Sequence, residues 1–440
     1  MRFTSTRGGD APVTLSTAIA RGLAPDGGLY VPESLPVIDV SDWDPDWSLA
    51  RIAEAFLRPF FADDPLADQL EAITASALNV PLPVTQPFAG RDDWYVLELF
   101  HGATAAFKDF GARFLAECLC RLRAGQADPF TVLVATSGDT GGAVGAAFDG
   151  RNEARVVILF PEGRVSPLQR HQLTCWSDRV LSLEVTSDFD ACQGLSKAAF
   201  ADPDLSRHFQ LTSANSINIA RLLAQMTYYA ALTLRLGTLG RVPVNVIVPT
   251  GNVGNALSAL WVKAMGLPIG RVICASNANR TMPDFLATGR YEPRPSVATL
   301  ANAMDVGAPS NAERLMRFLE LRPDLRASLS AAAVDDDQIR ARIKADFDRD
   351  GIIWCPHSAT AAHLLQTDHP DMARPDRGVW CVAATAHAAK FPEVVEPIIG
   401  TDVPRPPALA ALADRPSRAR PLPADLQALG TAMRTHFVSR

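Results

Sequence analysis

The sequence is poor in cysteine, and its cysteines are not spaced as a metal or redox motif. Seven occur in 440 residues, without a C-x-x-C pair. Cys118 and Cys120 lie two positions apart on a predicted helix and therefore point to different sides, which argues against a shared metal ion. We expect seven reduced, mostly buried thiols and no metal site.

Long apolar runs and long basic runs are also absent. No stretch reaches the roughly 18 uninterrupted apolar residues of a membrane-spanning helix, and the segment MRFTSTRGGDAPV lacks the apolar core of a signal peptide. The formal net charge is −6, with no basic run suited to nucleic acid or to an anionic membrane. The sequence predicts a cytoplasmic protein that binds neither nucleic acid nor membrane.

The sequence does contain a repeated alternation of short apolar runs with helical stretches. With 48% hydrophobic residues, the chain can bury a large core. The predicted strands are 94–99, 131–135, 156–160, 180–185, 244–248, 272–275 and 379–383. Runs of this length between helices are typical of parallel sheets buried on both faces, so we predict an α/β fold.

Proline-rich segments divide the chain. Breaks at 32–36 and 81–87 set off a predicted N-terminal domain, residues 1–90. Residues 404–423 are predicted to be an extended linker and 424–437 a short closing helix. The predicted division is 1–90, a catalytic region 91–395 with a smaller lobe at about 125–220, and a C-terminal linker and helix 396–440.

Lys108 is the first candidate for chemistry. It lies in FHGATAAFKDFGARFL, between Phe107 and Phe110. Desolvation favours the neutral amine over the charged one, and a neutral amine can attack an aldehyde to form a Schiff base. A lysine at the start of an amphipathic helix usually points into water, however, so this segment alone does not decide between a nucleophile and a solvated side chain.

Two glycine-rich loops each follow a predicted strand and precede a predicted helix. They are 137–142 in TVLVATSGDTGGAVGAAF and 251–255 in VPVNVIVPTGNVGNALSALWVKAM. The free N–H groups of such a helix start bind anions without a cationic side chain. Neither loop is a Walker loop or G-x-G-x-x-G, which disfavours nucleotide binding. Either loop alone could be an ordinary turn of an α/β fold.

A candidate Schiff-base lysine with two candidate phosphate sites suggests pyridoxal phosphate and a phosphorylated substrate. Segments in the following order resemble the threonine synthase family of fold-type II pyridoxal-phosphate enzymes: FHGATAAFKDFGARF, ATSGDTGGAV, EGRVSPLQ, SANSINIARLLAQMTYY, VPTGNVGNALS, NAMDVGAPSN and ATAHAAKF. LSTAIARGLAPDGGLYVPESLP is similar to the start of its bacterial and fungal branch, so the resemblance covers about residues 14–395. It implies pyridoxal 5'-phosphate and a fold similar to the tryptophan synthase β subunit, with two parallel or mixed-sheet lobes plus an N-terminal domain.

The chain departs from the family pattern at four places. Ala103 and Ala388 stand where the family has proline, in HGPT and TAHPAKF. Val253 replaces the phenylalanine of GNFG, and Cys355 replaces the acidic residue before a Pro-His pair. These changes leave the reactive positions intact and affect loop rigidity and local packing.

The resemblance implies a role for each candidate site residue. Lys108 binds the cofactor as a Schiff base and later moves protons at Cα and Cβ of the substrate. Thr385 meets the pyridine nitrogen, unless it is an ordinary strand-end threonine. His101 and His387 are interpreted as loop-ordering hydrogen bonders. The cofactor phosphate is held by Gly251, Asn252, Val253, Gly254 and Asn255, and the substrate by Thr136, Ser137, Gly138, Asp139, Thr140, Asn215 and Arg221.

Some of these assignments have alternatives. Asp139 carries the wrong charge for an anion site, and could instead cap the following helix or order its loop. Arg221 could belong to a structural ion pair. The sequence does not decide which of Asn215, Asn218 and Arg221 contacts cofactor and which contacts substrate.

The predicted reaction is the conversion of O-phospho-L-homoserine and water to L-threonine and phosphate, the last step of threonine biosynthesis, by a pyridoxal-phosphate-dependent lyase. A related phospho-lyase that stops after elimination would release a keto acid instead. A non-catalytic homologue would keep the fold as a binding or regulatory protein. We expect a monomer or a homodimer.

Overall fold

A computed structural model describes residues 1–367 and 378–437. The strands are β1 (Phe3–Ser5), β2 (Tyr30–Pro32), β3 (Val84–Thr85), β4 (Trp94–Glu98), β5 (Phe130–Ala135), β6 (Ala154–Pro161), β7 (Val180–Val185), β8 (Leu211–Ser213), β9 (Val244–Pro249), β10 (Ile269–Ser276), β11 (Leu329–Ala333), β12 (Val379–Ala384) and β13 (Ala419–Leu422).

Helices separate most of these strands. They are α1 (Leu15–Arg21), α2 (Leu49–Leu57), α3 (Leu70–Ala77), α4 (Lys108–Leu122), α5 (Asp139–Phe148), α6 (Pro167–Thr174), α7 (Phe189–Ala201), α8 (Pro203–Phe209), α9 (Ile219–Gly237), α10 (Gly254–Ala264), α11 (Thr281–Thr288), α12 (Ala312–Leu321), α13 (Asp336–Asp350), α14 (Pro356–Gln366), α15 (Pro392–Ile399), α16 (Pro407–Ala413) and α17 (Leu426–Phe437). Short 3-10 helices are found at Arg58–Phe61, Ala67–Gln69, Asn302–Met304, Pro323–Ser328 and Ala388–Lys390.

Two sheets organise the molecule. The larger has the strand order β11-β10-β9-β12-β4-β3 and the smaller β13-β7-β6-β5-β8. All neighbours pair in parallel except β3 and β4, which are antiparallel, and β1 and β2 form a separate antiparallel pair. The predicted α/β class, with two parallel or mixed-sheet lobes and an N-terminal domain, is confirmed.

The seven predicted strands are all present as β4, β5, β6, β7, β9, β10 and β12. Every residue of β5, β9 and β12 is buried, because helices cover both faces of their sheets. At the carboxyl ends of these three strands the chain turns into α5, into α10 and towards Thr385, so the predicted site segments are brought together between the two sheets.

The N-terminal segment packs directly on the rest of the protein. Phe3 and Tyr30 belong to the same hydrophobic cluster as Phe110 of α4. Asn218 Nδ2 donates to the carbonyl of Ile19 at 2.9 Å, which ties this segment to the start of α9. The N-terminal segment thus shares a core with the elements that carry the candidate site.

The prediction of an extended linker at 404–423 was wrong. This segment forms α16, with Leu409 and Leu412 buried, and β13, which adds to the smaller sheet beside β7. Pro421 argued against a strand because proline cannot donate to a ladder, but β13 is an edge strand, where one side of the backbone needs no partner. The predicted closing helix is α17 and is confirmed.

Proline at position 103 is expected to stabilise the fold. The Gly102 carbonyl accepts from the Ala105 N–H at 3.1 Å, so Ala103 occupies the turn position that proline favours, and it is exposed. Ala388 begins a 3-10 helix, another position that suits proline. Ala103→Pro and Ala388→Pro should each raise the free energy of unfolding by about 0.4–1 kcal/mol, because they restrict the unfolded chain.

Urea denaturation measures this effect, with Ala103→Ser as a control that changes the side chain without fixing φ. A loss of stability in both proline variants would show that these loops differ from the geometry that proline requires.

Candidate active site

One cavity lies where the carboxyl ends of β5, β9 and β12 meet. Of the site residues predicted from the sequence, Gly138 does not line it; those that do are Lys108, Thr136, Ser137, Asp139, Thr140, Asn215, Arg221, Gly251, Asn252, Val253, Gly254, Asn255 and Thr385. His357, which was not predicted, also lines the cavity. Lys108 lies at the start of α4 and His357 at the start of α14. Residues far apart in sequence are therefore brought to one place by the ends of parallel strands.

Lys108 is the first residue of α4, and its side chain is 15% exposed. Burial lowers the pKa of this amine to about 8, against the opposing effect of Asp139, and Lys390 and Arg221 lower it further. Lys108 Nζ lies 3.8 Å from Asp139 Oδ2. An amine with this pKa is partly neutral near neutral pH, as a nucleophile or a general base must be.

Asp139 opens α5 but does not cap it, because the residue at the N-cap is Gly138. Its carboxylate lies instead in a cluster of cations and an amide. Lys390 Nζ is 2.8 Å from Oδ1, and Gln169 Nε2 donates to the same oxygen at 3.2 Å. Burial opposes ionisation of Asp139, yet Lys390 and Lys108 together hold its pKa below the usual range.

The sequence interpretation gave no role to Lys390 or to His357. Lys390 is fully buried and also donates to the Thr104 carbonyl at 2.8 Å. His357 Nε2 accepts from the Ala303 N–H at 3.0 Å, which places the ring proton on Nδ1, and Nδ1 has no partner within the described residues. Lys390 lies in the segment ATAHAAKF and His357 in the Pro-His pair of the family pattern, but their proximity to Asp139 appears only in the fold.

Burial of His357 as a neutral ring is expected to make the folded protein less stable at acidic pH. Burial, with Lys108 and Lys390, lowers its pKa from 6.5 to about 4, so between these pH values the unfolded chain binds a proton that the folded chain does not. Stability from this group is therefore lost as pH falls through that window, by about 3 kcal/mol at its lower end.

The cofactor-free His357→Asn variant should lose less stability than the parent chain between neutral pH and pH 4. Urea denaturation at both pH values measures the difference, and His208→Asn, at an exposed histidine, is the control. Identical pH slopes for the parent and His357→Asn would contradict the placement of His357 as a buried neutral ring.

The 251–255 loop joins β9 to α10 and presents the N–H groups of a helix start. A Cβ on Gly251 would lie 2.9 Å from Met304 Cα, so the backbone there has no room for a side chain. Asn255 Oδ1 accepts from Tyr228 and Tyr229, at 2.5 and 2.8 Å, while its Nδ2 has no partner within the described residues. Backbone and amide donors at a helix start suit a phosphate group.

The 137–142 loop is ordered by the Thr136 hydroxyl. Thr136 Oγ1 accepts from the N–H groups of Gly138 and Gly141, each at 3.0 Å. Ser137 and Thr140 are partly exposed and line the cavity. Thr136 is therefore engaged within the loop, whereas Ser137 and Thr140 contribute to the wall of the cavity.

The SANSINIAR segment divides its polar residues between structure and cavity. Asn218 caps α9 through its Oδ1 and does not line the cavity, so the expectation that it approaches a ligand was wrong. Arg221 Nη1 donates to the Ala214 carbonyl at 2.6 Å, and no ion pair of Arg221 is found in the described part of the chain. Burial lowers the pKa of Arg221 to about 10. Asn215 Oδ1 and Arg221 Nε are buried without partners among the described residues.

Thr385 follows β12 and is fixed by its backbone. Its N–H donates to Ser358 Oγ at 3.0 Å and its carbonyl accepts from the Phe107 N–H at 2.8 Å, which holds it beside the start of α4. His101 Nε2 lies 2.7 Å from Glu98 Oε2, and His387 Nδ1 accepts a hydrogen bond from the Ala389 N–H. Neither histidine lines the cavity, and their interpretation as loop-ordering hydrogen bonders is confirmed.

The remaining negative expectations concern metals, thiols and membranes. All seven cysteines are free and buried, as predicted. Within residues 1–367 and 378–437, no group of three or more metal-ligating His, Cys, Asp or Glu side chains is found. In the same residues, no helix is both long and apolar enough to span a bilayer.

Comparison with known proteins gives matches along the whole chain. Family models match at residues 73–384 (Pyridoxal-phosphate dependent enzyme), 2–78 (Threonine synthase N terminus) and 359–433 (Threonine synthase, C-terminal). The chain is 39% identical to the threonine synthase of Serratia marcescens over 94% of each chain.

Solved structures agree with these matches. The crystal structure of threonine synthase from Escherichia coli superposes with a TM-score of 0.89 at 38% identity, covering 99% of this chain and 100% of that one. The structure of threonine synthase with bound PLP from Brucella melitensis gives 0.88 at 33% identity, covering 99% of both chains.

Proposed function

Because the chain belongs to the threonine synthase family of pyridoxal-phosphate-dependent enzymes, we propose that it converts O-phospho-L-homoserine and water to L-threonine and phosphate. The observation that carries this proposal is one cavity lined by Lys108 and by two separate helix starts, neither of whose loops contains a cationic side chain. Two anion sites around one amine suit a phosphorylated cofactor and a phosphorylated substrate.

The residues present fit pyridoxal 5'-phosphate. Asn255 Nδ2, which has no hydrogen-bond partner among the described residues, and the closely packed Gly251 backbone would hold its phosphate. Lys108 offers an amine of lowered pKa for its aldehyde. When bound, this cofactor supplies an electron sink that stabilises negative charge on substrate carbon atoms. The hydroxyl of Thr385, rather than a carboxylate, is proposed to face the pyridine nitrogen.

Side chains of the protein are proposed to bind the substrate and to transfer protons. Ser137, Thr140 and the N–H groups that start α5 bind the phosphate of the substrate, and Thr136, Gly138 and Asp139 order that loop. Asn215 and Arg221 line the same cavity, and each has a buried polar atom without a partner in the described part of the chain, which suits contacts to the amino acid part of the substrate. Lys108 removes the Cα proton and moves protons at Cβ, which its lowered pKa permits.

Product analysis tests the proposal. The cofactor-loaded protein is incubated with O-phospho-L-homoserine, and amino acids, keto acids and phosphate are quantified. Threonine and phosphate in equal amounts are expected. Phosphate with a keto acid would identify an elimination-only lyase, and no turnover by a protein with a normal lysine-bound cofactor band would identify a non-catalytic homologue.

The domain limits, assembly and location remain proposals. We propose the division 1–90, 91–395 and 396–440. The N-terminal family model ends at residue 78, the pyridoxal-phosphate model spans 73–384, and the C-terminal model begins at residue 359, before the proposed limit. A cytoplasmic location and the lack of nucleic-acid binding are supported by the composition and net charge of the chain, and we propose a monomer or a homodimer.

A further inference from the structure

Lys390 is fully buried and has no part in the function proposed above. Its Nζ lies 2.8 Å from Asp139 Oδ1 and donates to the Thr104 carbonyl at 2.8 Å. The chain has five lysines, and two of them, Lys108 and Lys390, contact the same carboxylate. A buried ammonium group requires a charged or hydrogen-bonding partner. Lys390 and Lys108 therefore compete for the Asp139 carboxylate.

The two oxygens of Asp139 are divided unequally between the lysines. Oδ1 accepts from Lys390 and from Gln169 at hydrogen-bonding distance, whereas Oδ2 lies 3.8 Å from Lys108 Nζ, beyond a normal hydrogen bond. Lys390 therefore holds one oxygen of Asp139 and leaves the other beyond hydrogen-bonding distance of the Lys108 amine, so Asp139 raises the pKa of that amine by its charge without a direct hydrogen bond. The positive charge of Lys390 also disfavours a second buried cation nearby.

We infer that Lys390 is a positioning residue for the reacting amine: by holding Asp139 and placing a positive charge beside the site, it keeps Lys108 available in the neutral form near neutral pH. The inference rests on the proposed role of Lys108. Among the described residues, other titratable groups that interact with the cluster are Arg221 from α9, and Cys355 and His357 at the start of α14. Asp109, next to Lys108 on α4, is bound by the N–H and hydroxyl of Thr104.

The protonation of Lys108 can be measured without turnover. Full-length protein is stripped of cofactor, pyridoxal 5'-phosphate is added at a series of pH values, and the rate of appearance of the visible band is recorded. The pH midpoint of that rate reports the loss of the proton from Lys108. The melting temperature of each variant checks that it is folded.

Lys390→Met should raise this midpoint by about one pH unit or more and slow loading about tenfold at neutral pH, because Asp139 is released to Lys108 and a positive charge is lost. Asp139→Asn should lower the midpoint. Lys390→Arg keeps the charge and should remain near the parent value. Lys263→Met is the matched control, since Lys263 is half-buried and donates to the Ile269 carbonyl, outside the cavity.

A midpoint for folded Lys390→Met equal to that of the parent chain would overturn the inference. If Lys390→Met does not fold, the inference is tested with Asp139→Asn. A pH midpoint in that variant that equals or exceeds the parent value would also overturn the inference. This experiment can fail independently of the proposed function. Cofactor loading is measured without substrate, whereas the product analysis is done on the parent protein alone.

Discussion

Replacing Lys108 by alanine is expected to abolish threonine formation while the protein still holds its cofactor through the 251–255 loop. The variant removes both the covalent attachment and the proton transfers at Cα and Cβ. One general acid or base is worth about 10²–10⁴-fold in rate, so a loss of at least about 10³-fold is expected. The visible band of the lysine-bound cofactor should disappear with the activity.

Steady-state turnover and an absorbance spectrum measure the two effects, and equilibrium dialysis measures the cofactor that remains bound. Lys263→Ala is the matched control, because it removes a lysine outside the cavity. Turnover near the parent level in Lys108→Ala would show that another group is the reacting amine.

The second large effect concerns the phosphate of the substrate. Homoserine without its phosphate should be a very poor substrate, because it lacks both the group that the 137–142 loop binds and a good leaving group. Inorganic phosphate should compete with O-phospho-L-homoserine. Ser137→Ala should weaken that competition by roughly 1.5–3 kcal/mol, the range for a lost hydrogen bond to a charged group, or about 10- to 150-fold.

Inhibition constants for phosphate test this, with Ser187→Ala at an exposed serine as the control. The cofactor spectrum should be the same in both variants. A Ser137→Ala protein that loses its cofactor and keeps its sensitivity to phosphate would mean that the two loops have been assigned to the wrong phosphates.

The strands and the three segments around the cavity could be predicted because each is marked by local sequence. A buried parallel strand is a continuous apolar run, so β5, β9 and β12 were recognisable. The loops after β5 and β9 also contain glycine where the backbone needs it, at Gly138 and Gly251. The expectation failed at β13, where a proline is tolerated because that strand lies at an edge.

The contacts among charged side chains were not predictable in the same way. Asp139 and Lys390 lie in separate matched segments, and nothing in either segment says that a salt bridge joins them. Likewise, Asn218 lies three residues before Arg221 in SANSINIAR, but its amide is used to cap α9. The partner of a buried polar side chain depends on which helices pack against each other, and the packing is known only from the folded structure.

The pairing of β13 with β7 also constrains how the protein is made. β7 is complete long before residues 419–422 have been synthesised, so on the ribosome the smaller sheet carries an open edge with unpaired N–H and C=O groups. A chain that stops before residue 419 would keep that edge permanently. Truncated forms should therefore tend towards strand-mediated aggregation, although every cavity-lining residue is still present.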